Sequence, residues 1–296
     1  MLDKEFQNQG QFIGDGSTAA QAGRDVIIIN NQPSYSTIKE IFVDLLDQNF
    51  PKLLDDAMDI VNERTQGFLH SLKLKIEKME ESIHASNLKE PNFQYNFQKV
   101  IVEVARKGEK ANPDILADMI LKQLTTENID DVSSGIIDEA IKIVPSLMKK
   151  HIHYLGLKTL LHEFRLNQPM SPDELDQLLD SYLDKLELAS KITALDMSYL
   201  SSLRLTFGFI GGVGGFIASK IKKSNPYQLF SDIDVFKSMS IEEILSYCSA
   251  KGLGRITFLV QTDYSHIKEG MYDLTLIGRT VGSYHLNKEN TLDHNE

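Results

Sequence analysis

Residues 35–83 read YSTIKEIFVDLLDQNFPKLLDDAMDIVNERTQGFLHSLKLKIEKMEESI, and the spacing of their apolar side chains decides the fold class. Tyr35, Ile38, Ile41, Phe42, Leu45, Leu46 and Phe50 recur at three- and four-residue steps, one stripe of a helix. Pro51 suits a first-turn position, so a second helix is expected to begin there. Leu53, Leu54, Met58, Val61, Phe68, Leu72, Ile76 and Ile83 carry its stripe onward, with Glu77, Lys78, Glu80 and Glu81 on the solvated side. A helix of that length either projects from a compact body or pairs with a neighbour.

The helical period continues downstream. Four helices are expected near 93–107, 113–126, 129–144 and 146–165, separated by Gly108, Pro113, Asp130 and Pro145. Ser171-Pro172-Asp173-Glu174 is a capping box with proline at the first helical position, and Ser240-Ile241-Glu242-Glu243 repeats the capping signal. Arg255 to Val260, rich in branched and aromatic residues, reads as a strand. Met271 to Leu274 reads as a strand running into a last helix over 274–286, for which Thr275 or Asp273 could serve as cap. The polar tail, Asn287 to Glu296, is expected to fray.

Upstream, residues 13–31 read IGDGSTAAQAGRDVIIINN and have a different character. Ile13 and the run Val26, Ile27, Ile28 and Ile29 favour short strands, with Gly14 to Ser17 and Ala22 to Asp25 as turns. Two short strands cannot hold themselves together in water, and their open edges want partners. The expected architecture is a mainly α-helical domain (35–190), an N-terminal β-forming oligomerisation arm (1–34) and a small C-terminal α/β domain (191–296).

Composition narrows the function. The 296 residues are 42 % hydrophobic, enough for a real core. A net charge of -11 argues against a nucleic-acid partner, because phosphate neutralisation needs clustered Lys and Arg. The single cysteine, Cys248, excludes an internal disulfide and fits a reducing cytoplasm. The polar, acidic start Met1 to Glu5 predicts no secretory signal. Leu205 to Ile217 is too short for a membrane-spanning helix.

Several constellations invite chemistry and then fall short of it. Asp55-Asp56-Ala57-Met58-Asp59 matches the DDxxD pattern that chelates magnesium in isoprenoid synthases, but a second acidic cluster with its cations is missing from the sequence pattern. His151 and His153 are two apart and point to different sides, while His162 stands about 16 Å from His151 along a helix axis. These read as helix-surface or interface histidines, and Cys248 reads as a small core residue. Phe207 to Ile217 interleaves glycines with phenylalanines, yet fails as a phosphate loop or dinucleotide fingerprint. It reads first as a tight turn between buried elements. The sharper alternative is lipid or partner contact through Phe207, Phe209 and Phe216 beside Lys220, Lys222 and Lys223. A winged-helix-like turn near Met271 to Gly278 raises DNA reading, against which Asp263, Glu269 and Asp273 argue.

Taken together, four segments resemble an uncharacterised bacterial protein family known by locus-tag names. They are Gly14 to Val26 (GDxSxxxQAGxDV-like), Tyr35 to Phe50, the set Pro91, Phe93, Gln94, Tyr95, Ala105 and Gly108, and the ending Leu274, Thr275, Gly278, Gly282 and Lys288. The resemblance implies no catalytic residues. The ending is also loosely similar to a family linked to abortive infection, which implies phage defence. The start is similar to bacterial amyloid-signalling motifs, but departs from them in its N-terminal position and in Arg24 and Asp25.

The resulting expectation is a cytoplasmic, non-enzymatic protein that assembles with itself, recruits a partner and needs no metal or cofactor. The alternative is a membrane-acting effector that uses residues 205–223 and moves to the membrane on activation. A metal-dependent enzyme comes third.

Overall fold

The computed structural model describes residues 35–78, 83–84, 86–126, 129–208, 227–269, 272–286 and 292–294. The β-arm with Ile13 and Val26 to Ile29 therefore lies outside the described residues, as do Phe209, Phe216, Lys220, Lys222 and Lys223. The chain divides into two units, residues 1–57 and 58–296.

The structure is mainly α-helical. Helix α1 (Tyr35–Lys78) runs unbroken through Pro51, so the expected boundary between two helices is corrected. A proline's fixed φ is helical, and its missing N–H costs one backbone hydrogen bond without requiring a break. From Met58 onward its inward stripe buries Phe68 and Leu72.

Local sequence explains most boundaries that follow. Helix α2 (Pro91–Lys107) starts on proline and ends at Gly108, whose φ of +57° is a conformation glycine adopts at no steric cost. Arg64 donates to the Ala105 and Arg106 carbonyls at 3.1 and 2.9 Å, closing the end of α2. Helix α3 (Pro113–Thr125) also starts on proline. Helix α4 (Asp131–Ile143) is capped by Asp130, which accepts from Val132 and Ser133 at 3.0 Å. Helices α6 (Pro172–Leu186), α7 (Ala194–Ser202) and α8 (Ile241–Lys251) begin in capping boxes at Ser171, Thr193 and Ser240.

Helix α5 (Lys149–His162) is the centre of the body. Every residue from His151 to Leu161 is buried, the pattern of a helix covered on all sides. Its most extensive neighbour is α10 (Leu276–Leu286). The close approach depends on Gly282, and Gly278 seats the same helix against Leu205. A Cβ on Gly278 would collide with the Leu205 carbonyl, and one on Gly282 with Thr159 and the Leu155 carbonyl. Thr275 caps α10, accepting from Gly278 at 3.2 Å while donating to the Arg204 carbonyl at 2.6 Å.

Helix α9 (Gly254–Glu269) occupies the place of the strand expected over 255–260. Burial of Ile256, Leu259, Val260 and Asp263 follows a helical period, so packing overrides the β preference of the branched residues. Among the described residues, two small antiparallel ribbons join the helices. Strand β1 (Phe164–Leu166) pairs with β4 (Leu292–His294), so this part of the tail is not frayed as expected. Strand β2 (Thr206–Gly208) pairs with β3 (Tyr272–Leu274), Phe207 standing opposite Asp273.

Candidate functional site

The polar groups of α5 fall into three clusters. In the first, Lys158 and His162 converge on Asp263 of α9, at 3.1 and 3.0 Å. Lys158 and Asp263 are both buried. Burial pushes the Asp263 carboxyl up, but Lys158 and His162 outweigh it and hold the group well below the usual carboxylate range. The Tyr227 phenol beside it is pushed far up by burial and by the Asp263 charge. Asp263, read from sequence only as part of an acidic segment that argues against DNA contact, is an internal anion paired within the body.

The second cluster closes the start of α5. His151 Nε2 lies 2.9 Å from Asp196 Oδ1, while the Met148 N–H donates to His151 Nδ1 at 3.3 Å. That backbone donor makes Nδ1 the acceptor and leaves Nε2–H to donate to the carboxylate. Lys150 at 2.7 Å and Thr193 through both its hydroxyl and N–H complete the shell. Burial opposes ionisation of Asp196, yet these donors hold its carboxyl well below the ordinary range.

The third cluster is a pair of rings. His153 and His285 lie with centroids 5.1 Å apart and planes tilted by 32°. His153 accepts from the Leu188 N–H at 3.3 Å, and His285 meets the Lys185 carbonyl at 2.7 Å. Burial, then Lys149, lowers His153 to about 4. Burial, partly offset by the Lys185 carbonyl, lowers His285 to about 4 as well. His151 and His153 are therefore core groups, a correction to their reading as surface histidines.

A cleft of about 770 Å³ opens beside the start of α5. Pro145, Leu147, Met148 and Tyr199 give it an apolar lining, and Lys107, Lys110, Lys149 and Glu109 stand around it. Lys107 is tied to Glu103 at 3.0 Å and to the Pro145 carbonyl at 2.7 Å, whereas Lys110 and Lys149 are exposed. Met148 and Tyr199 are exposed at 52 and 36 %. Sequence reading missed this cleft, because its lysines come from two segments forty residues apart and no local motif joins them.

The residues singled out from sequence are placed as follows. Asp55, Asp56 and Asp59 are exposed on α1. Among the described residues, no group of three or more His, Cys, Asp or Glu side chains is arranged to hold a metal. Cys248 is buried, and burial followed by Asp176 pushes its thiol up to about 12, far from a nucleophile's range. Phe207 is 41 % exposed at the end of β2, whereas the tight-turn reading expected a buried ring. Among the described residues, no helix is long and apolar enough to cross a membrane.

With this geometry defined, the comparisons place the chain in a class. Residues 33–248 match the family model of an uncharacterised protein family named only by a locus tag, and the chain belongs to that family. No curated protein matches the chain, and no solved structure matches it.

Proposed function

We propose that this chain is a non-enzymatic, self-assembling interaction protein of the cytoplasm, serving bacterial anti-phage defence or stress response. One observation carries the assembly reading. The stripe of α1 passes through Met58, Val61, Thr65, Phe68 and Leu72 at alternating three- and four-residue steps, the spacing of a helix-pairing seam. Phe68 and Leu72 are buried, but Val61 and Met58 on the same stripe are 36 and 53 % exposed. An apolar seam that continues past its own cover is a surface for another chain. The β-branched run Val26 to Ile29 supports the same reading from sequence. The role in defence rests on the resemblance of the Leu-Thr-x-x-Gly ending.

Light scattering on the full chain and on a chain lacking residues 1–34 tests this. The full chain should be an oligomer, and the shortened chain should keep its helical circular dichroism but lose mass. A full chain that is monomeric at tens of micromolar, an ordinary range for modest affinity, would refute the proposal.

The membrane-effector reading is kept as second because Phe207 is exposed where β2 leads into the glycine-rich segment. Under the leading reading, anionic vesicles do not leak. Leakage abolished by Gly212→Glu, with oligomer size unchanged, would promote the effector.

A further inference from the structure

Two surfaces of this chain match each other in shape class and in charge. One is the cleft at the start of α5, with its apolar lining and its exposed Lys110 and Lys149. The other is α1 over Asp55 to Val61, which exposes Met58, Ile60 and Val61 at 53, 46 and 36 %. Between them stand three exposed carboxylates, Asp55, Asp56 and Asp59. In a chain of net charge -11, an apolar cleft whose lining carries the exposed Lys110 and Lys149 against one exposed carboxylate, Glu109, is a local exception. An acidic helix with an apolar face is the occupant such a cleft fits, by the helix-in-groove mode and by complementary potential.

We propose that the Asp55–Val61 segment of a second copy of this chain docks in the cleft formed by Lys107, Lys110, Pro145, Met148, Lys149 and Tyr199. This inference rests on the self-assembly reading and names the contact. Met58 and Val61, three residues apart and so on one face, cover the apolar floor, and the aspartates of the segment meet the lysines. The two patches differ, so the contact is head-to-tail. Each added protomer leaves one cleft and one α1 segment open, and assembly proceeds until a ring closes or a filament grows. A β-arm contact would then join protomers already held in register.

Charge reversal with complementation tests the contact. Light scattering over a concentration series compares the full wild-type chain with Lys110→Glu/Lys149→Glu and with Asp55→Lys/Asp56→Lys/Asp59→Lys. Each variant alone should need about tenfold or more protein to assemble, since like charges then face each other. An equimolar mixture should assemble again, because each reversed surface meets its complement on the other variant. Recovery on mixing also rules out misfolding as the cause of the loss. If the wild type is itself a monomer, the self-assembly reading falls and takes this contact with it. If the wild type assembles and both variants assemble alike, only this contact is wrong. Loss in both variants without recovery on mixing overturns it too. The lysine variant losing binding to anionic phospholipid vesicles while assembling like wild type would reassign the cleft to a membrane surface.

Discussion

At the residue scale, single atoms set how closely α10 approaches its neighbours. Gly278 leaves no room for a methyl group against the Leu205 carbonyl, which is backbone and cannot swing away. Gly278→Ala should therefore cost about 1–3 kcal/mol in urea unfolding, the usual penalty for overpacking. Gly67, on helix α1 with open space around it, is the control. Gly67→Ala should be neutral or stabilising, by about 0.5–1 kcal/mol. The tilted ring pair His153 and His285 sets a second expectation. Both titrate at about 4 in the folded chain, against about 6.5 for an unfolded imidazole. The unfolded chain thus binds more protons between those values. Stability from this pair is complete above about pH 6.5 and is lost as pH falls toward 4, and His153→Gln or His285→Gln should flatten the urea midpoint across that window. Asp263 and Asp196, held below the ordinary carboxylate range, lose their contribution at lower pH still. From sequence, the Leu-Thr-x-x-Gly ending was visible as a pattern and Thr275 as a cap. The partner that makes Gly278 obligatory, a carbonyl seventy residues earlier, was not.

At the element scale, legibility follows how local the stabilising contacts are. Helices α6 and α8 were readable because Ser171 with Glu174, and Ser240 with Glu243, satisfy the first turn within four residues. Helix α9 was misread because its cap is not in its own sequence. Asp176 of α6 reaches across to accept from the Arg255 and Ile256 N–H groups at 2.9 Å each, and pairs with the Arg255 guanidinium at 3.1 Å. Without that distant carboxylate, only the branched run Ile256 to Val260 is seen, and it suggests a strand. Ser171→Ala or Ser240→Ala should cost about 1 kcal/mol, as a lost cap does. Asp176→Ala should cost more, about 2–3 kcal/mol, because it strands two backbone N–H donors at the start of α9, while the part-exposed Arg255 guanidinium keeps Asp180 at 2.8 Å. Equal losses in denaturant titrations would mean that α9 does not depend on its remote cap. The lysine cleft was hidden for a similar reason: Lys110 and Lys149 become neighbours only when the turn after α2 packs beside the start of α5.

At the scale of the whole molecule, the chain has an interior and a surface of different kinds. The interior is closed: the buried charges on α5 are matched within the body, and the histidine pair is held neutral by burial. The surface keeps apolar groups in view on the α1 seam, at Met148 and Tyr199, and at Phe207. Matching the interior charges avoids the cost of burying them unpaired, and uncovered apolar groups beside unlike charges are what the proposed association would cover. The central claim is that this chain works as an assembly. Its most direct test is the mass of the full chain by sedimentation, followed from about one to about one hundred micromolar, a span that brackets modest affinities. The account predicts a mass rising well above the 33.4 kDa protomer within that range. A mass that stays at 33.4 kDa throughout would contradict it.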